Sequence, residues 1–144
     1  MKKIWICLLP ALLVLGACTK SESTLNSPSP SGTFNGEFRL LRKKANQLKF
    51  DTLKANIQLV FTDNTNYKVL GDTLLVHAGS KGTFEVGNGV STGLIGFIDS
   101  TYPKTGIPAK THLSGAYQYY YDGTKLQMVA NSSDTLSLQY DLKK

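Results

Sequence analysis

Cysteine and tryptophan are scarce in this chain, and their positions matter more than their number. The 144 residues contain two cysteines, Cys7 and Cys18, and one tryptophan, Trp5, all at the N-terminal end. Beyond Cys18 there is no thiol for a disulfide or a thiolate metal site. Histidine is nearly as rare. His77 and His112 stand alone, with no His-x-His or Glu-x-x-His spacing, so a metal site would rest on residues distant in sequence. No Gly-x-Ser-x-Gly elbow occurs; Ser114 precedes Gly115 without the leading glycine. Gly87-Asn88-Gly89 is too short for a phosphate loop and lies between strand candidates rather than before a helix. Asp63, Asp72, Asp99, Asp122 and Asp134 fall at turns, where their side chains cap the backbone. No catalytic constellation, metal site or cofactor motif is therefore expected. Long hydrophobic runs are also missing. The only apolar stretch of note, Ile4 to Val14, is interrupted by Pro10 and is shorter than the roughly 20 residues a spanning helix needs.

That stretch has a recognisable layout. Met1-Lys2-Lys3 is a short positive start, the apolar stretch follows, and Leu15-Gly16-Ala17 narrows to small residues. The arrangement predicts a secretory signal peptide over residues 1–17. Leu15-Gly16-Ala17-Cys18 resembles the bacterial lipobox, in which Leu, a small residue, and Gly or Ala precede Cys. The resemblance implies cleavage before Cys18, a diacylglycerol on its thiol and a further acyl chain, such as palmitate, on the new N-terminus. Several acyl chains, at ~0.8 kcal/mol per buried methylene, make a durable anchor. Thr19 follows the cysteine instead of Asp, which by resemblance to enterobacterial sorting implies the outer membrane. The expected localisation is the cell envelope, with the membrane as partner through the N-terminal lipid.

Residues 18–32 are rich in Ser, Thr, Asn and Pro and show no apolar period, so they read as a flexible tether behind the lipidated Cys18. Loss of Lys2 and Lys3 leaves 14 basic against 10 acidic residues, a charge of +4. Arg39, Arg42, Lys43, Lys44, Lys49 and Lys54 are the densest basic group. They suit contact with anionic headgroups or lipopolysaccharide phosphate, or simply a solvated loop. So mild a charge on an exported chain argues against nucleic acid.

Residues 33–144 alternate apolar and polar side chains, the period of a strand with one buried face. Leu136, Leu138, Tyr140 and Leu142 alternate with Ser137, Gln139, Asp141 and Lys143. Leu126, Met128 and Ala130 precede them, with Asn131-Ser132-Ser133-Asp134 as a turn cluster. His112 to Tyr121 is a β-rich run joined onward through Asp122-Gly123, a hairpin signal. Upstream, strands are predicted at Phe34–Leu41, with Gly36 a bulge or bend, and at Ala55–Thr62, Tyr67–Leu70, Leu74–His77, Gly82–Val86 and Val90–Ile98. Two connections read as long, Arg42 to Lys54 and Asp99 to Lys110. The fold class is all-β: an antiparallel up-and-down meander closing into a small barrel of about eight strands. Phe38, Leu59, Phe84, Ile95, Phe97, Tyr119, Met128 and Leu138 are expected to point inward and mostly fill it.

Three segments carry a family resemblance: the opening "SGTFNGEFRLL", the central "GTFEVGNGVSTGLIGFID" and the ending "LSGAYQYYYDGTKLQMVANSSDTLSLQYDLKK". Together they resemble the small lipocalin-like lipoproteins of Bacteroidetes, with Phe34 or Phe38 where lipocalins open on Gly-x-Trp. The resemblance implies a lipocalin-like barrel and a non-enzymatic role: binding a small apolar or amphipathic ligand, or serving as an accessory envelope subunit, its protein partner unspecified. Tyr117, Tyr119 and Tyr121 share one strand face, so with Phe97 they are the ligand-binding candidates. A narrow pocket near Tyr119, flanked by the Asp99–Lys110 loop, is expected. Placed outside, the tyrosine row would suit a glycan-binding module; an envelope enzyme would need a polar cluster converging in a cavity. Asp-Thr-Leu occurs at residues 51–53, 72–74 and 134–136 and resembles the Bacteroidetes O-glycosylation acceptor, which would place glycans on Thr52, Thr73 and Thr135.

Overall fold

The computed structural model describes residues 29–44, 49–87 and 93–144. The expected signal peptide, Cys18, most of the expected tether and Asn88-Gly89 lie outside the described residues. Eight strands follow in order: β1 Gly32–Lys43, β2 Phe50–Thr62, β3 Asn66–Gly71, β4 Lys81–Gly87, β5 Gly93–Asp99, β6 Gly115–Tyr121, β7 Lys125–Ser133 and β8 Leu136–Lys143. Each pairs antiparallel with the next, and β1 pairs with β8, so the sheet closes into an up-and-down barrel with no free edge. No helix occurs among the described residues.

Alternation does the sorting. Phe34 and Phe38 of β1, Ile57, Leu59 and Phe61 of β2, Tyr67 and Val69 of β3, Phe84 of β4 and Ile95 and Phe97 of β5 are buried. So are Tyr117 and Tyr119 of β6, Leu126 and Met128 of β7, and Tyr140 and Leu142 of β8. Aromatic rings meet edge to face across the lumen, Phe61 with Phe84 at 4.6 Å and Tyr67 with Phe97 at 4.9 Å between centroids. An eight-stranded barrel is just wide enough for such side chains to fill. Here they do: seven of the eight residues expected inward are buried, and Leu138 is half-buried.

Two glycines let the barrel close. The β1 register runs unbroken through Gly36, which faces Ile57 on one side and Leu142 on the other, so no bulge forms there. Gly36 instead gives room to the Asp141 carbonyl, which a methyl group at this position would strike. Gly82 does the same for the Ile98 carbonyl across β4 and β5. The sheet's irregularity lies elsewhere, between Asn131 and Ser133 of β7.

Three expected segments differ. Arg42–Lys54 is not a long connection: the ladder continues through Leu40 with Leu53 and Lys43 with Phe50. Charged residues stay in the ladder there because their heads reach water, as Arg42 does at 3.5 Å from Asp51. Leu74–His77 is not a strand. Gly71 takes φ +93°, the chain turns over residues 73–76, and only His77 bridges, in parallel, to Thr111. Two adjacent leucines mimic strand composition, but Leu74 and Leu75 find no sheet to join. The Asn131-Ser132-Ser133 cluster belongs to β7, and the chain turns at Asp134-Thr135.

Successive connections alternate between the barrel's two ends. The start of β1, the β2–β3, β4–β5 and β6–β7 connections and the end of β8 define one end, called the tether end for the segment expected before β1. The β1–β2, β3–β4, β5–β6 and β7–β8 connections define a mouth end.

A candidate binding mouth above a polar plug

The two longer described connections at the mouth end are stitched together. Ala78 N–H donates to Thr111 O at 2.8 Å and Thr111 N–H to Val76 O at 2.9 Å. Leu113 N–H donates to Ser80 Oγ at 3.0 Å, while the Tyr67 hydroxyl donates to Leu113 O at 2.5 Å. These bonds drive His77, Ser80 and Leu113, each with no exposed surface, into the barrel end as a plug. The lumen is sealed below it.

Two polar clusters hold the plug. In the first, His77 Nδ1 lies 2.6 Å from Ala78 O and Nε2 lies 2.9 Å from the Tyr140 hydroxyl. A carbonyl only accepts, so Nδ1 carries the proton, and Nε2 accepts from Tyr140. Burial lowers the His77 pKa to about 4, keeping the imidazole neutral. Phe38 packs edge-on against its ring at 4.8 Å. Burial pushes the Tyr117 hydroxyl up to about 12, against the lowering influence of the Tyr140 hydroxyl and the Ser114 backbone. It makes no hydrogen bond of good geometry. Tyr140 and Tyr67 are likewise raised, chiefly by burial.

In the second cluster, His112 Nδ1 donates to Asp99 Oδ2 at 2.7 Å. Thr101 N–H and Oγ1 donate to Asp99 Oδ1 at 2.7 and 2.6 Å. Burial works to raise the Asp99 pKa, but hydrogen bonds from Thr101, His112 and Ser80 outweigh it and hold the carboxyl below its usual range. Tyr102 stacks edge-on to His112 at 5.1 Å. His112 Nε2 has no hydrogen-bond partner among the described residues.

Outside the plug opens a cavity of about 690 Å³. Its first wall is made by strands that overshoot the plug. Leu40, Leu53, Leu136 and Leu138 keep the inward orientation of β1, β2 and β8, but no side chain from the lumen covers them. The opposite wall is Val76 and the Tyr102–Ser114 connection, including Ile107, Pro108 and His112. Arg42 and Lys110 are its cations, and Lys110 Nζ is tied to Thr73 O at 2.8 Å. This is a concave, largely apolar surface with a few polar groups, the ordinary form of a small-molecule site.

The sequence candidates lie elsewhere. The expected pocket does flank the Asp99–Lys110 loop, but Tyr119 is not in it. Tyr119 pairs with Gly93 and Met128 toward the tether end. It sits roughly 13 Å along β6 from Gly115, which lines the mouth. In an up-and-down barrel, four residues along a strand move a side chain from one end to the other. Tyr117 and Phe97 are core residues 5.8 Å apart. Tyr121 is half-buried at the tether end, where Lys144 Nζ donates to its hydroxyl at 3.0 Å. Thr52 and Thr135 are exposed and Thr73 half-buried, all three at the mouth end. The Asp99–His112 pair was hidden by its 13-residue separation; the one available signal was that two lone polar residues bracket the longest loop.

The described chain is an eight-stranded antiparallel barrel consistent with a lipocalin-like one. No family model matches it, and neither a curated protein nor a solved structure gives a significant match.

Proposed function

We propose that the protein is a non-enzymatic, lipid-anchored envelope lipoprotein that binds a small amphipathic molecule at the mouth of its barrel. The observation that carries this reading is the pairing of a packed lumen with a cavity of about 690 Å³ beyond the plug. A carrier with a filled barrel must hold its ligand outside the lumen. Half-buried leucines on β1, β2 and β8 offer the apolar tail a wall, while Arg42, Lys110 and the free nitrogen of His112 suit a polar head. Asp99 fixes the orientation of His112 and hence which nitrogen is offered.

The anchor fits this arrangement. Gly32 starts β1 at the tether end, opposite the mouth, so a lipid on Cys18 leaves the cavity unobstructed. Metabolic labelling with a palmitate analogue tests the anchor: label is expected on the native protein and absent from Cys18→Ala.

Titration with a fluorescent anionic amphiphile tests the site, without interference because tryptophan is confined to Trp5. Saturable binding is expected, and it should be lost in Leu138→Arg with the fold retained by circular dichroism. Absence of saturable binding across amphiphilic dyes, fatty acids and sterols would remove the carrier reading in favour of an accessory-subunit role.

A further inference from the structure

Among the described residues, the three most exposed bulky apolar side chains sit at one end of this barrel. Leu74, Leu75 and Ile107 are 79%, 80% and 96% exposed, and Phe50 and Tyr102 are nearly half exposed. They come from the β1–β2, β3–β4 and β5–β6 regions, far apart in sequence, and all belong to the mouth end. The other exposed large apolar residues, Leu94, Ile98 and Tyr120, lie within β5 and β6 rather than in a connection. Side chains as free as Leu75 and Ile107 contribute nothing to the core. Leaving them in water has a cost that a folded chain normally avoids at adjacent positions.

Charge divides the same way. Among the described residues, Arg42, Lys43, Lys44, Lys49, Lys104 and Lys110 surround the mouth end, against the exposed carboxylates Asp51, Asp72 and Asp134. Asp51 is committed to Arg42, so the surplus rests on lysines. At the tether end, Asp63, Asp122 and Asp141 offset Lys125, Lys143 and Lys144, with Lys125 3.8 Å from Asp141.

We propose that the mouth end docks onto an anionic phospholipid bilayer. Leu74, Leu75 and Ile107 enter the headgroup–acyl boundary, and the lysines lie against the phosphates. Apolar tips ringed by cations match an interface that is apolar a few ångströms down and negative at its surface. A protein partner of ordinary size would favour a broad contact of ~800 Å² with charge depleted at its centre. The mouth shows separate tips with lysines between them. Docking needs no ligand in the cavity, so it stands apart from the carrier reading, although it would open the cavity directly onto lipid.

The test uses residues 19–144. This span holds the whole barrel, since every ladder lies between Gly32 and Lys143. Co-sedimentation compares vesicles of phosphatidylcholine alone with vesicles containing roughly one-third phosphatidylglycerol. Binding to the anionic vesicles is expected to be tighter by about tenfold or more and to weaken with salt, each basic group near the surface adding about fivefold. Leu74→Ser combined with Leu75→Ser and Ile107→Ser should reduce it by about tenfold or more, and so should Lys49→Gln with Lys104→Gln. Lys143→Gln with Lys144→Gln, at the tether end, should leave it unchanged. The three apolar positions are exposed, so serine there keeps the fold, which circular dichroism verifies. Three results would overturn docking: no preference for anionic vesicles, equal loss in the tether-end variant, or a dimer that the serine variants abolish without any vesicle binding. A glycan on Thr73 of the native protein would also overturn it, because a hydrated sugar beside Leu74 excludes that tip from the bilayer.

Discussion

Phe38 and Leu40 stand two residues apart on one face of β1, yet Phe38 is wholly buried and Leu40 only half so. The same step separates Tyr140 from Leu138 on β8 and Ala55 from Leu53 on β2. In each pair the inner residue lies beside the plug or below it, and the outer residue rises past it. Alternation along a strand selects the face; height along the strand selects the burial. Height is set by where the β3–β4 and β5–β6 connections fold in, and their path depends on His77, Ser80, Asp99 and Leu113 rather than on any strand. The lumen and the mouth are therefore one surface divided by a polar partition.

The largest effect should come from the lumen. Phe38→Ala removes a buried ring packed against His77 and Tyr140, at 4.8 and 4.9 Å. It should cost about 3–5 kcal/mol in urea melts of the barrel. A loss near 1 kcal/mol would mean that the lumen relaxes as freely as the mouth.

The partition itself gives the next effect, read through pH. His77 titrates near 4 when folded and at 6.5 when not. Above about pH 6.5 neither state is charged and its contribution is complete. As pH falls toward 4 the unfolded chain takes up a proton that the folded chain refuses, so stability should drop by about 3 kcal/mol in all. Below 4 this group adds no further change. Asp99, held below its normal range, adds stability present above the unfolded carboxyl pKa and lost as pH falls through its folded value, a window below that of His77. Urea midpoints from pH 7 to 4 should slope steeply in the native protein and much less in His77→Gln.

On the mouth side, Leu138→Ala should cost only about 1–2 kcal/mol, because a half-buried side chain leaves less to lose. A cost as large as that of Phe38→Ala would mean the cavity is closed in solution. The smallest effect belongs to the outer sheet. Lys54 meets Glu37 at 3.1 Å in the open, so Lys54→Ala should shift stability by about 0.5 kcal/mol or less.

The barrel was legible in the sequence because period two needs only local information. Leu59, Met128 and Leu142 announce their face within their own strand. The turn at Asp122-Gly123 also announces itself, and there the Asp122 side chain accepts from the Thr124 and Lys125 N–H groups. What stayed hidden depends on contacts between distant segments. Nothing near Leu138 says that β8 overshoots a plug made by residues 77 and 113. Nothing in the Tyr117–Tyr121 row says which end of the barrel each ring approaches. Leu74-Leu75 reads as strand because composition does not report whether a sheet edge is available. The candidate site moved accordingly, from the tyrosines to a wall of leucines and a loop.

The seam between β1 and β8 bears on how the molecule is made. Gly36 meets Leu142 across about a hundred residues of intervening chain. A chain emerging N-terminus first would expose β1 first and could not satisfy its outer edge until β8 arrived. Closing so distant a pair is slow, because the loop entropy is lost before the ladder forms. During that interval the unpaired margins of β1 and β7 are open to strands of other molecules. The protein should therefore depend on holding factors while it folds more than its modest size suggests, and shortening the chain within Leu136–Lys143 should leave the β1 and β7 edges open and promote aggregation.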